Sequence, residues 1–137
     1  MYEHFEHTAD LGLRVRAPDL DTLFAEAAEA LFAAIVEDSA TVEPREARDF
    51  HIPGTDHTYL LFDWLKELLY RFDGEHWLFR RFETRVGPDG LDATAWGEPY
   101  DPARHPLSHE VKAITYHGLQ VEPDPAGGWL AEVIVDI

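Results

Sequence analysis

The sequence predicts an α+β fold, a single domain in which mostly antiparallel β-sheet packs against two main amphipathic helices. Two segments repeat apolar residues at intervals of three and four, which is the spacing of a helix face. Other segments alternate apolar and polar residues and are joined by turns rich in Gly, Pro and Asp. Residues 1–137 match the usual size of one domain and contain no linker or repeat.

The composition is that of a water-soluble protein with one core. Hydrophobic residues make up 45% of the chain, and no apolar run approaches the roughly 18 residues of a membrane span. No basic segment followed by an apolar stretch marks a signal peptide. The absence of cysteine excludes disulfides and thiolate chemistry and fits a cytoplasmic protein.

The net charge of the chain indicates which kinds of partner it can bind. It is −16, from 27 acidic and 11 basic residues. Such a surface repels phosphate backbones, so we expect no strong direct binding of nucleic acid. It suits a basic protein partner or divalent cations, although charge more often serves only to keep a protein soluble.

The first half of the chain predicts a strand and a helix. Leu11–Ala17 alternates as a half-buried strand does, and Pro18 ends it. Asp19 is placed to cap a helix over Leu20–Glu37. The apolar stripe of that helix contains Leu20, Leu23, Phe24, Ala27, Ala28, Leu31, Phe32 and Ile35.

A short strand and the second helix follow. Ala47–Ile52 is predicted as the strand, and either Thr55 or Asp56 caps a helix that runs to about Tyr70. Asp73-Gly74 is predicted to end it. Its stripe contains Leu61, Trp64, Leu65, Leu68, Leu69 and Phe72.

Two hairpins complete the predicted sheet. Trp77–Val86 and Leu91–Trp96 flank a Gly-Pro-Asp-Gly turn. Glu110–Glu122 and Gly128–Ile137 form the last hairpin, and the final strand carries Asp136 beside the carboxyl-terminal residue.

A candidate metal site follows if the two ends of the chain meet. Asp10, Asp136 and the terminal carboxylate of Ile137 would then form one anionic cluster. Two such charges about 4 Å apart repel by roughly 4 kcal/mol near a surface, unless a cation lies between them or one group is protonated. Oxygen ligands suit calcium, magnesium or manganese. The residues alone leave open that these acids are simply solvated.

The sequence offers few other candidate functional residues. Lys112, in the predicted strand, either protects a sheet edge, neutralises the carboxylates or holds a phosphate. Lys66 is expected on the polar face of its helix. His105 and His109 have a zinc-helix interval, but Pro106 and the lack of cysteine argue against zinc. No phosphate loop, nucleophile motif or nucleophile–base pair predicts catalysis.

Four strings give the chain a specific resemblance. YEHFEHTADLGLRV, FDWLKELLYRFD, EVKAITYHGLQVE and WLAEVIVDI are similar to the archease family, over Tyr2–Ile137. The resemblance implies a small α+β protein that acts as a non-catalytic cofactor of the tRNA-splicing RNA ligase. That ligase joins 3′-phosphate or cyclic-phosphate ends to 5′-hydroxyl ends through a guanylate intermediate. Archeases promote ligase guanylation and multiple turnover in tRNA splicing and RNA repair.

The resemblance also implies the site and its ion. The metal ligands of the family correspond to Asp10, Asp136 and Ile137, with calcium as the ion and magnesium or manganese as alternatives. Lys112 lies in a family string and is expected to contact the ligase or its nucleotide. The alternative function is that of a chaperone-like modulator of a tRNA-modifying enzyme, such as a tRNA methyltransferase.

Overall fold

The computed structural model describes residues 1–7 and 10–137, without the side chain of His7. Eight strands, two α-helices and a short 3-10 helix at Ser39–Thr41 make up these residues. In chain order the elements are β1 (Tyr2–His7), β2 (Asp10–Ala17), α1 (Leu20–Ile35), β3 (Glu46–Pro53), α2 (His57–Glu75), β4 (Trp77–Gly87), β5 (Gly90–Pro99), β6 (Ala113–Ile114), β7 (Gln120–Pro123) and β8 (Trp129–Asp136).

The strands form two antiparallel sheets. The five-stranded sheet has the order β1-β2-β8-β6, with β7 also paired to β8, and the three-stranded sheet has the order β3-β5-β4. Both helices contact strands of both sheets, so the core lies where helices and sheets meet. This architecture confirms the α+β prediction. No helix in residues 1–7 and 10–137 is both long and apolar enough to cross a bilayer.

Helix α1 begins as predicted and ends slightly early. The Asp19 carboxylate accepts a hydrogen bond from the backbone N–H of Thr22 at 2.7 Å, which satisfies a free donor of the first turn. The predicted end at Glu37 is wrong, because the helix stops at Ile35. The Glu37 N–H instead donates to the carbonyl of Pro106 at 2.9 Å, which draws the chain out of the helix.

Helix α2 is longer than the sequence predicted. Asp56 caps it, accepting from the N–H groups of Thr58 and Tyr59. The helix continues through Gly74 to Glu75, so the predicted end at Asp73-Gly74 is wrong. The left-handed residue that ends it is His76, at φ 57°, and its N–H closes the last turn.

The first hairpin is confirmed, and the last one is interrupted. Gly87 pairs with Gly90 across the predicted turn, and β5 extends to Pro99. The strand predicted over Glu110–Glu122 exists only as β6 and β7. Thr115 still donates its N–H to the carbonyl of Ile134, and residues 116–119 then leave the ladder before Gln120 pairs with Glu132.

Candidate functional site

The two ends of the chain meet in neighbouring strands. Strands β2 and β8 are antiparallel, and Asp10 lies directly opposite Asp136 in their register. Next to this pair, Leu11 lies opposite Val135, and both are buried in the core. Because side chains alternate along a strand, the two aspartates share the other face of the sheet. Both are half-buried.

The carboxylate pair fits a hard cation. Directly opposed residues of an antiparallel pair have Cβ atoms about 4.5–5.5 Å apart, and like charges there are destabilising. Ile137 follows Asp136 immediately, and its half-buried side chain packs against the core. No three His, Asp or Glu side chains cluster for a metal within residues 1–7 and 10–137. The predicted contribution of the Ile137 main-chain carboxylate to a metal site stays a prediction.

Part of the predicted site falls outside the described residues. Thr8 and Ala9 of the His7-Thr8-Ala9-Asp10 string, and the side chain of His7, belong to this part. The backbone of His7 pairs with Asp10, so β1 and β2 meet next to the carboxylates.

A packed outer face holds the strands in register beside the carboxylates. The ring of Phe5 covers Gly12, where an added Cβ would lie only 2.2 Å from the ring. The guanidinium of Arg14 lies 4.5 Å from the centre of that ring. Arg14 also bonds Glu132 on β8 at 3.0 Å and Glu3 on β1 at 3.1 Å. These contacts tie β1, β2 and β8 together, and Gly12 is the positioning residue that the sequence reading missed.

Lys112 adjoins the carboxylate pair through the backbone. It lies one residue before β6, so its predicted place within a strand is wrong. Its N–H donates to the carbonyl of Asp136 at 2.7 Å, and the next residue, Ala113, lies opposite Asp136. The side chain is exposed. The structure therefore places the backbone of Lys112 next to that of Asp136.

A second cluster was not predicted at all. Glu98 is only 3% exposed and binds Arg104 through both carboxylate oxygens, at 2.9 and 3.0 Å. The backbone N–H of Asp101 donates to Nδ1 of His105 at 2.9 Å, so Nε2 carries the proton and donates to Glu98, also at 2.9 Å. His105 is therefore a neutral, fully buried structural histidine. The signal in the sequence was an acid at the end of a strand, followed within seven residues by an arginine and a histidine.

The buried carboxylate of Glu98 makes the unfolding free energy of the protein fall at acid pH. Hydrogen bonds from Arg104, above all, hold the pKa of Glu98 at about 2, below its ordinary 4.5. Because the folded-state pKa is depressed, the stabilisation is complete above pH 4.5 and is lost as the pH falls toward 2. Between pH 6 and pH 2.5 we expect the wild type to lose about 2–3 kcal/mol more unfolding free energy than Glu98→Gln. Urea unfolding at both pH values measures this difference, and equal losses would contradict it.

The chain matches one protein family over almost its whole length. The model of the Archease protein family matches residues 2–137. Protein archease of Methanopyrus kandleri is 43% identical, with 99% of each chain covered. Protein archease of Pyrococcus abyssi is 41% identical, over 99% of this chain and 98% of the other.

Two solved structures show the same fold. The solution structure of protein 1598 from Methanobacterium thermoautotrophicum superposes with a TM-score of 0.85 at 37% identity, covering 99% of this chain and 98% of the other. The crystal structure of an archease from Thermotoga maritima, described as a possible chaperone, has a TM-score of 0.68 at 24% identity, covering 100% and 98%. The family model and the relatives together establish that this chain belongs to the archease family.

Proposed function

We propose that this protein activates the tRNA-splicing RNA ligase, by promoting guanylation of the ligase and its multiple turnover in tRNA splicing and RNA repair. The observation that carries the proposal is the direct opposition of Asp10 and Asp136, in a chain of the archease family. Two carboxylates held face to face at a sheet end are stabilised by a nearby positive group or by protonation of one of them. The active site of a metal-using nucleotidyl transfer enzyme offers such groups.

In this proposal, Asp10, Asp136 and the terminal carboxylate of Ile137 hold a divalent cation. Their oxygen donors fit calcium, with magnesium or manganese as alternatives. When bound, such an ion neutralises phosphate charge and orients phosphoryl groups. The ladder of β2 and β8 keeps the two aspartates in register, and Lys112 lies beside them to contact the ligase or its nucleotide.

The protein is proposed to act as a non-catalytic cofactor in the cytoplasm. With a net charge of −16 it is repelled by the backbone of tRNA, so it is expected to act through the ligase rather than by binding tRNA tightly. The carboxylate end of the sheet would then dock where the ligase presents positive charge, and the Arg14 and Phe5 contacts would keep that end rigid.

The test is a multiple-turnover ligation assay. The cognate ligase is kept limiting, with GTP, manganese and broken tRNA, and this protein is added or omitted. We expect the ligase to pass from about one ligation per molecule to many. An unchanged number of turnovers, with unchanged ligase guanylation, would overturn the proposal.

The alternative function predicts a different pattern. A chaperone-like modulator of a tRNA methyltransferase would reduce aggregation of its client or change the methylated site. Neither effect would depend on Asp10 or Asp136. Substituting these residues in both assays therefore separates the two functions.

A further inference from the structure

A groove along α2 has the properties of a ligand site. It lies between α2 and residues 112–114 and has a volume of about 400 Å³. Its apolar lining comes from buried residues, namely Phe62, Leu69 and Ile114. Clefts of this size with apolar walls and a few polar groups are typical of small-molecule sites. The volume therefore favours a compact ligand over a flat protein surface.

Within the described part of the chain, the groove carries two lysines without ion pairs, which is unusual in this acidic chain. The only two lysines of the protein, Lys66 and Lys112, line it from its two walls. Six of the arginines form ion pairs with carboxylates, and they are Arg14, Arg16, Arg45, Arg71, Arg81 and Arg104. Neither lysine pairs with an acid among residues 1–7 and 10–137. Two unpaired ammonium groups thus meet at one groove of a strongly acidic protein.

One carboxylate, Asp73, also lines the groove. Burial and the neighbouring Glu110 raise the pKa of that carboxyl above its ordinary value, and it is one acid against two lysines. More distant acids are screened, because the Debye length is about 8 Å at physiological ionic strength. The two lysines therefore decide the local preference, which is for an anion.

Two exposed tyrosines adjoin the groove: Tyr70 is part of its lining, and Tyr116 packs on the lining residue Phe62. Tyr116 stacks on Phe62, with ring centres 4.0 Å apart and an angle of 14° between the planes. Tyr70 lies against Gly74, where an added Cβ would be 3.1 Å from the ring. Tyr70 and Tyr116 nevertheless remain 58% and 61% exposed. Exposed, preoriented rings next to cations are the usual means of holding a base and its phosphate.

A larger groove on the other side of α2 serves as a comparison. It has a volume of about 650 Å³ and is lined by Asp49, Asp63 and Glu67. Its arginine, Arg71, already pairs with Glu67 and covers the ring of Phe50. Lys66 is the only basic residue there without an ion pair, so the acids dominate this groove and it does not favour an anion.

We propose that the groove between α2 and residues 112–114 binds a phosphorylated nucleoside. Lys66 and Lys112 bind the phosphate, and the apolar and aromatic lining holds the base. The backbone bond from Lys112 to Asp136 joins one wall of the groove to the strand that carries Asp136. This proposal goes beyond ligase activation, because it assigns a ligand to this protein itself. A free nucleotide and the phosphorylated end of an RNA strand share this chemistry.

The test uses the full chain alone, so its result is separate from that of the ligation assay. Adenosine 5′-monophosphate is titrated into the ¹⁵N-labelled protein, with adenosine as the uncharged comparison. We expect amide shifts confined to α2 and residues 112–119, and binding at least about tenfold weaker for adenosine. A trinucleotide with a 3′-phosphate, compared with one ending in a 3′-hydroxyl, shows whether an RNA end binds better than the free nucleotide.

Charge-matched variants complete the design. Lys66→Gln and Lys112→Gln should each weaken binding by about tenfold. Arg85→Gln, which removes one exposed positive charge on β4, should leave binding unchanged. All three sites are exposed, so the variants should keep the wild-type spectrum outside the groove. No shifts at millimolar nucleotide, equal binding of adenosine, or equal binding of an oligoglutamate peptide would overturn the proposal.

Discussion

Asp10→Asn and Asp136→Asn are each expected to reduce the stimulation of RNA ligation by more than about tenfold. Either change removes one carboxylate from the opposed pair of β2 and β8. Hard cations depend on charged oxygen ligands, so the loss of one carboxylate weakens the bound ion severely. The initial rate and the final turnover of the ligase, measured with each variant at saturating protein, check this prediction.

The control variant makes the same kind of change, the removal of one carboxylate, at another position in the same sheet. Glu122→Gln removes an exposed carboxylate from β7, opposite Leu130 and at the far end of β8 from Asp136. It should stimulate the ligase as the wild type does. Without divalent cations Asp136→Asn should be no less stable than the wild type, because the change removes a like-charge opposition. Normal stimulation by both aspartate variants would show that the carboxylate pair is not the functional site.

Trp64→Ala is expected to destabilise the fold by about 3–5 kcal/mol, the usual cost of removing a fully buried large aromatic side chain. Trp64 is 0% exposed, and its indole N–H donates to the carbonyl of Phe24 at 3.1 Å, which links α2 to α1. Its ring contacts Phe50 edge-on at 5.2 Å, on a strand of the smaller sheet. Urea unfolding followed by circular dichroism measures the loss.

Two further tryptophan changes locate the cause of that loss. Trp64→Phe retains most of the buried apolar surface but loses the hydrogen bond, so it should cost about 1–2 kcal/mol. Trp96→Ala removes the same kind of side chain from a half-buried position, covered by Arg81 at 4.5 Å from the ring centre, and should also cost less than about 2 kcal/mol. Equal destabilisation by Trp64→Ala and Trp96→Ala would contradict a central role for Trp64.

The periodic parts of the fold were readable from the sequence because local patterns determine them. The stripe of α1, its Asp19 cap and the turn between Gly87 and Gly90 all depend on neighbouring residues. Element ends were less predictable, because tertiary contacts set them. Glu37 leaves α1 to bond Pro106, and the left-handed His76, not Gly74, ends α2.

The sequence indicated which residues form the candidate site, but it did not indicate what surrounds them. The oxygen-rich chain ends pointed to Asp10 and Asp136, but only the strand register shows them directly opposed. The sequence placed Lys112 inside a strand, whereas it lies one residue before β6, on the wall of a groove. Lys66 and Lys112 line that groove together although they lie far apart in the chain. No local sequence pattern predicts such a combination.

Calorimetric titration of calcium into the purified protein tests most directly the claim that opposed carboxylates hold a cation. The account predicts one site per chain in the wild type, an equal site in Glu122→Gln, and affinity reduced by more than about tenfold in Asp136→Asn. Manganese and magnesium titrations would rank the ions. Absence of binding, or equal affinity in Asp136→Asn, would contradict the account.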